Sequence, residues 1–437
     1  MLLPVEQHYS AAASPEQRPM YRSDHVAAIR GQVVVIGGGA AGIMAAISAA
    51  SAGASTTLLE RTRDGGRKIL ISGGGRCNIL PVRLDESRFI TESSRPVLRR
   101  MVRSWPLHEQ VAFFEREAGI PLVEESESGK LFPASQRAKD VRDRLFALAR
   151  ERGTLLRTDA LVVGVDRAEA GWRISLADGD IIEADAVVIA TGGLSVPNTG
   201  SDGMGLRFAA ALGHTMRPTY AALTPLTAKP APFGKLSGVS LPVTLSARAG
   251  TERATATGGF LFTHGGYSGP AILDVSHVAV RSRVSGVAAT VVVRWTPLGD
   301  EDWELALRPR GARTVAAAIA AHLPERLASA LVEYLGIVRS RPLANLTRPE
   351  RLRVIEMLVR GTLPWNGDEG YKKAEVTGGG VDLSEVDPRT LESRRHPGLF
   401  LCGEMLDAFG PIGGYNFLWA WATGRAAGLG AAASLSS

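Results

Sequence analysis

Cysteine is nearly missing from this sequence. The 437 residues contain only Cys77 and Cys402, too few for a disulfide framework and in keeping with a reducing compartment. No Cys/His cluster has the spacing of a zinc site, so no metal is expected. No uncharged apolar run reaches the roughly 18 residues that a transmembrane helix needs. Residues 1–25 lack the basic start and apolar core of a signal peptide. A disordered leader over residues 1–30 and a cytoplasmic location are the expectations. Aromatics are sparse at 6%. Neither sign of charge dominates: 50 Lys/Arg stand against 44 Asp/Glu, a net +6. That mild excess permits an anionic partner without requiring one.

What is present is length and glycine. The chain is too long for one ordinary core and predicts two or three domains. Its 45% hydrophobic and 22% charged residues fit a globular protein, and 49 residues are Gly. Gly31-Gln-Val-Val-Val-Ile36 reads as a buried parallel strand. Gly37, Gly39 and Gly42 follow in a G-x-G-x-x-G pattern, and the helix former that begins at Ile43 is closed by Gly53. Thr56 to Glu60 reads as a second strand, which completes a βαβ start.

In this pattern the first Gly permits a tight turn. The second admits a pyrophosphate to the backbone, and the third lets helix and strand pack closely. The helix N-terminus, with Ala40 and Ala41, offers free N–H groups to phosphates. Glu60, ending the second strand, is placed to accept hydrogen bonds from a ribose diol. Two later strand-to-glycine turns, Ala190-Thr191-Gly192 and Cys402-Gly403-Glu404, suit the longer reach of FAD. Gly413-Gly414-Tyr415-Asn416 then opens an apolar helix, whose N-terminus suits the N1–O2 edge of a flavin. No second G-x-G-x-x-G precedes a helix, and Thr377-Gly-Gly-Gly380 lacks a following one. NAD(P)H is therefore expected to dock only transiently.

Between these ends, residues 96–152 look mostly helical. Leu155 to Ala190 look strand-like, with a hairpin signal at Ala177-Asp-Gly-Asp180. Thr219 to Thr296 suggest a β-barrel or β-rich insert, and Thr314 to Leu363 suggest helices. The expected fold is α/β: a Rossmann-like FAD-binding domain from residues 31–195 and 375–437, a β-barrel-like insert over 196–300, and a helical insert over 301–374.

The sequence resembles the BaiN/RdsA (YhiN-like) flavoprotein family. The resemblance is carried by Val35 to Gly42, Gly66 to Asn78, Phe132-Pro133 with Ser135, Ala190 to Gly193, Phe262 to Pro270, Val376 to Val381, Gly403 to Asp407 and Gly413 to Asn416. It spans about Gln32 to Gly428 and departs from the common pattern at Ala408 to Ile412. The resemblance implies a two-dinucleotide-fold FAD protein and NAD(P)H-linked reduction of an activated C=C bond. One branch of the family acts on steroid enones, and another makes dihydrouridine in large-subunit ribosomal RNA. Some members are labelled amine oxidases. Uridine in ribosomal RNA is the leading expected substrate.

The cofactor site expected from pattern and resemblance together comprises Gly37, Gly39, Ala40, Ala41, Gly42, Glu60, Arg61, Arg67, Lys68, Gly73, Gly74, Gly75, Arg76, Cys77, Asn78, Ala190, Thr191, Gly192, Gly403, Glu404, Gly413, Gly414, Tyr415 and Asn416. His264, Cys77 and Tyr415 are the candidate catalytic residues. His264 also reads as a turn histidine bonded to backbone. Cys77, beside Arg76, reads either as a lowered-pKa thiol or as a buried structural one. Residues 61–160 carry 20 Lys/Arg against 14 Asp/Glu. Arg88, Arg95, Arg99, Arg100 and Arg103 cluster there, and Arg339, Arg341, Arg348, Arg351 and Arg353 form a second group. Either an RNA or only solvent lies against them.

Overall fold

The computed structural model describes residues 31–435; the expected leader over 1–30 lies outside them. Five strands form a parallel sheet in the spatial order Leu399–Leu401, Ala186–Ile189, Gln32–Ile36, Ser55–Leu59, Leu155–Arg157. Val33, Val34 and Val35 in the middle are fully buried, as continuous β-branched runs in a covered parallel sheet should be. All five strands end at one edge. The chain leaves the Gln32–Ile36 strand toward one side and later returns on the other, so a crevice opens between the ends of Gln32–Ile36 and Ala186–Ile189.

The helix Ala40–Ser51 is apolar on nearly every face, and nine of its 12 residues are buried. The helix Tyr415–Ser434 packs along it. A Cβ on Gly424 would stand 2.2 Å from the Ala41 carbonyl oxygen, and one on Gly428 2.2 Å from that of Ala45. Only glycine permits that backbone contact. This helix continues 12 residues beyond Ala422, the end of the expected apolar run. Its glycines weaken local propensity, and packing overrides them.

A second core gathers residues between Leu226 and Leu363. It is built on a seven-stranded sheet whose edge strands are Gly361–Thr362 and Gly367–Asp368. A four-residue link joins those edges, so the sheet must curl toward a barrel. The expected β-rich and helical inserts thus share one hydrophobic core. Leu245, Val293, Leu327 and Leu358, from both stretches, lie in it. The β-rich stretch also holds a 16-residue helix, Pro270–Ser285, which the sequence reading did not include. Its Val and Ser content disfavours a helix locally. Burial of Ile272, Val275, Val278 and Ala279 decides the outcome.

The helices Val315–Ile319, Glu325–Tyr334 and Arg348–Arg360 fall where periodicity placed them. Thr347 and Glu350 form a capping box at the start of the last, with a Pro in its first turn. The antiparallel pair Met216–Ala222 and Val376–Val381 connects the two cores. A small cluster including Tyr220, Leu223, Val376 and Phe409 fills the junction.

Gly424→Ala should destabilise the fold by about 1–3 kcal/mol, because the added methyl enters a backbone contact. Denaturant unfolding monitored by circular dichroism measures this. A midpoint equal to or above wild type contradicts the packing described.

Candidate functional site

A cavity of about 470 Å³ opens at the carboxyl edge of the parallel sheet, within the size range of ligand sites. Gly37, Gly39, Ala40, Ala41, Glu60, Arg61, Arg67, Lys68, Gly73, Gly74, Asn78, Ala190, Thr191, Gly192, Glu404, Gly413, Gly414 and Asn416 all line it. Residues as far apart as Gly37 and Asn416 thus meet because strands and helices end at the same place. Two helix N-termini reach this cavity, those of Ala40–Ser51 and Tyr415–Ser434. The first N–H groups of each lack intrahelical partners, and both dipoles favour negative charge there.

The local geometry explains several residue choices. Gly37 has φ +106°, and a Cβ on it would come within 2.7 Å of the Ala190 carbonyl oxygen. A Cβ on Gly42 would stand 1.8 Å from the Gly37 carbonyl oxygen, so the third glycine serves helix–strand packing. Nothing lies within 4 Å of a Cβ on Gly39; its open side is part of the cavity mouth at the helix start.

Glu60 is 7% exposed. Gly38 N–H donates to its Oε2 at 2.7 Å. The Thr62 N–H and hydroxyl donate to Oε1 at 2.7 and 2.6 Å. A carboxylate has about four acceptor positions, so room remains for a further donor. Glu404 is held more tightly. Lys68 Nζ lies 2.6 Å from Oε2. Ser195 Oγ donates to Oε1 at 2.5 Å, and the Thr377 N–H at 2.9 Å. Arg61 is paired with Asp202 at 2.5 Å and Arg67 with Asp64 at 2.8 Å. Asn78 Oδ1 and Thr191 Oγ1 are buried without a hydrogen-bond partner, and Thr191 Oγ1 lies against Gly205.

Other expected residues lie off the cavity surface. Gly75 and Arg76 are not part of its lining; Arg76 pairs with Glu125 at 2.8 Å and stacks over Phe132. Gly403 packs against Ala41. Cys77 is fully buried with φ +63°, and burial pushes its thiol up to about 12. That opposes a reactive thiolate. The Tyr415 hydroxyl donates to the Arg83 carbonyl at 3.3 Å and accepts the Asp85 N–H at 3.2 Å; it is occupied. The Asn416 side chain, although at the cavity, is bonded to both backbone groups of Gly410. His264 is exposed at a turn between Glu252–Thr263 and Gly266–Ser268, away from the cavity.

Sequence reading missed Ser195, Glu375, Thr377, Phe409 and Ile412 as neighbours of the site. The Val376–Val381 block was visible as a glycine run, but its role needs its pairing with Met216–Ala222. The Arg clusters are largely engaged internally. Arg103 pairs with Glu86, Arg351 with Glu304, and Arg339 and Arg341 with Glu333 and Glu350. Arg95 donates to the Phe89 carbonyl, and Arg88 lies 3.5 Å from Asp274. Arg99, Arg100, Arg348 and Arg353 have no paired acid among the described residues.

A parallel sheet with a glycine-rich turn and helix N-terminus at its switch point is a Rossmann-type dinucleotide fold. The model of the HI0933-like protein Rossmann domain matches residues 31–430, and the chain belongs to that family. A ribosomal RNA dihydrouridine synthase of Escherichia coli (strain K12) is 34% identical over 82% of this chain and 87% of its own. A 3-dehydro-bile acid delta(4,6)-reductase of Clostridium scindens is 33% identical over 85% of this chain and 91% of its own. A second ribosomal RNA dihydrouridine synthase, from Haemophilus influenzae, is 31% identical over 83% and 89%. Among the described residues, no helix is long and apolar enough to cross a membrane.

Burial of both thiols has a direct consequence. Neither Cys77 nor Cys402 should react with iodoacetamide in the folded protein at about pH 8, whereas both should react in denaturant. Mass-spectrometric counting of labels checks this, and rapid labelling of the native chain would contradict the burial.

Proposed function

We propose that the chain is an FAD-dependent oxidoreductase that reduces a C=C bond conjugated to a carbonyl, with NAD(P)H as reductant. The observation that carries this reading is the cavity shared by two helix N-termini, Glu60 and Asn78. FAD fits these groups. Its diphosphate matches the N–H groups beside Gly39, its adenosine ribose matches Glu60, and its polar ring edge matches donors at Gly414 to Asn416. Bound FAD supplies two-electron chemistry, as a hydride donor when reduced. The chain's own part is to bind and orient. The Lys68–Glu404–Ser195 group fixes the middle of the site, and Asn78 lies beside it.

The substrate we favour is uridine in large-subunit ribosomal RNA. Two of the three relatives described above are named for that product. Reduction of an enone and of uridine is the same chemistry, since each has a C=C conjugated to a carbonyl. A small apolar enone is the second reading. It is favoured by Val376, Phe409 and Ile412 at one end of the cavity, and by the internal pairing of most clustered arginines.

Protein purified with FAD should be yellow. Gly39→Val should lower FAD affinity about tenfold or more with little change in melting, because its side chain enters only the open cavity mouth. Flavin absorbance after desalting, beside a melting curve, measures both effects. A wild type that retains no flavin overturns the cofactor assignment. For the substrate, a strain lacking the chain should lose a dihydrouridine from its large-subunit RNA by mass spectrometry. If every dihydrouridine persists, uridine is the wrong substrate.

A further inference from the structure

None of the acids proposed from sequence is free at the cavity: Cys77 is buried, Tyr415 is doubly bonded and His264 lies elsewhere. Four acidic side chains do line the cavity: Glu60, Asp202, Glu375 and Glu404. Glu60 is held by Gly38 and Thr62, Asp202 by Arg61, and Glu404 by Lys68, Ser195 and Thr377. Glu375 is different. Its side chain is open to the cavity and has no side-chain hydrogen bond or ion pair among the described residues.

Its backbone is nonetheless fixed. The Glu375 N–H donates to the Leu223 carbonyl at 3.1 Å, while the Ser195 hydroxyl beside its carbonyl gives its one proton to Glu404. It lies beside Val376, at the end of the cavity lined by Phe409 and Ile412, where the two cores meet. Glu60 and Arg61, just past the end of the Ser55–Leu59 strand, mark the adenosine end. The reactive ring of an extended dinucleotide therefore belongs near Glu375.

We propose that Glu375 is the general acid of this site, donating the proton that completes reduction of a conjugated C=C bond. This assignment rests on the C=C reductase reading above. The substrate carbon β to the carbonyl takes a hydride from reduced flavin, and the π pair moves to the α carbon and its carbonyl oxygen. The α carbon then takes the Glu375 carboxyl proton, which leaves a saturated C–C bond and a carboxylate. Solvent returns the proton to Glu375, and NAD(P)H supplies the two electrons.

The surroundings favour a protonated Glu375. The Glu375 side chain is exposed, toward the cavity; the protein packed around its carboxyl nonetheless raises its pKa, the nearby Asp274 carboxylate raises it further, and Lys130 opposes both. Asp274 reaches this end from the helix Pro270–Ser285. Its Oδ1 accepts the Ile412 N–H at 2.8 Å, and burial lifts its own pKa to about 6. Lys68 and Glu404 neutralise each other nearby. A carboxylic acid poised toward neutrality is the type suited to general acid catalysis.

The test uses full-length holoprotein, wild type and Glu375→Gln, reduced anaerobically with dithionite. Each is mixed with 4-androstene-3,17-dione and, separately, with large-subunit ribosomal RNA from a strain lacking the chain. Return of the flavin absorbance is followed and the product is analysed. The expected result is wild-type reoxidation by one of these probes, slowed about 10²- to 10⁴-fold in Glu375→Gln, with FAD content and melting unchanged. In the FAD-free protein, pH-difference infrared spectra should lose one carboxyl band in the variant, a band that titrates above the ordinary glutamate range in wild type. Equal reoxidation rates, or an unchanged carboxyl spectrum, overturn the role of Glu375 and leave the reductase reading standing. A wild type that reduces neither probe overturns that reading and the assignment with it.

Discussion

The backbone contact between the helices Ala40–Ser51 and Tyr415–Ser434 sets much of this molecule. Gly424 and Gly428 lie so close to the Ala41 and Ala45 carbonyls that no side chain fits between them. The contact fixes a helix from the end of the chain against one from its beginning. Both helix starts are thereby held at the carboxyl edge of one sheet, and two sets of unpaired N–H groups face one cavity. Either helix alone would offer only a weak anion site. Together they span a ligand with a negative middle and a polar far end. The two glycines cost helix propensity, which burial of Leu418, Trp419, Trp421 and Ala422 offsets.

The next constraint is electrostatic. Glu404 brings together Lys68, Ser195 and the Thr377 N–H, from four separate stretches of chain. Removing one partner would leave a partly enclosed charge without compensation, which is more costly than the net value of any one bond. The group therefore ties the Gly66–Asn78 segment to the sheet edge. A parallel device acts at Asp407, which accepts from the Thr91 hydroxyl and from the Ser93 N–H and hydroxyl. It anchors the segment ahead of the helix Arg95–Val102. These two carboxylates position loops that have little regular structure of their own.

Legibility from sequence followed how local each signal was. The Gly37–Gly42 turn, the flanking strands and Glu60 could be read because one βαβ unit contains all the geometry they need. The cavity-lining Lys68, Gly73, Asn78, Thr191, Glu404 and Gly414 were reached through longer blocks. The helix Pro270–Ser285 was not legible, since its valines look like strand residues until a sheet is present to cover them. Cys77 beside Arg76 suggested an activated thiol. The fold instead turns Arg76 toward Glu125 and Phe132, and turns the thiol into the core. Adjacent residues in a loop need not share an environment, and no local pattern carries that information.

Glu375 is the clearest case of a property made only by tertiary structure. In sequence it is one of 44 acids, just after Lys372 and Lys373, and reads as an ordinary surface charge. In the fold, the Leu223 carbonyl holds its N–H, and Asp274 approaches from a helix a hundred residues upstream. The lysines beside it in sequence are exposed and are not what sets its protonation. A carboxyl group crowded by protein and given no partner is normally a defect. A carboxyl group in that state resists ionisation. A site that must protonate carbon therefore gains from leaving one acid unpaired, while pairing Glu60, Asp202 and Glu404 around it keeps the rest of the cavity rigid.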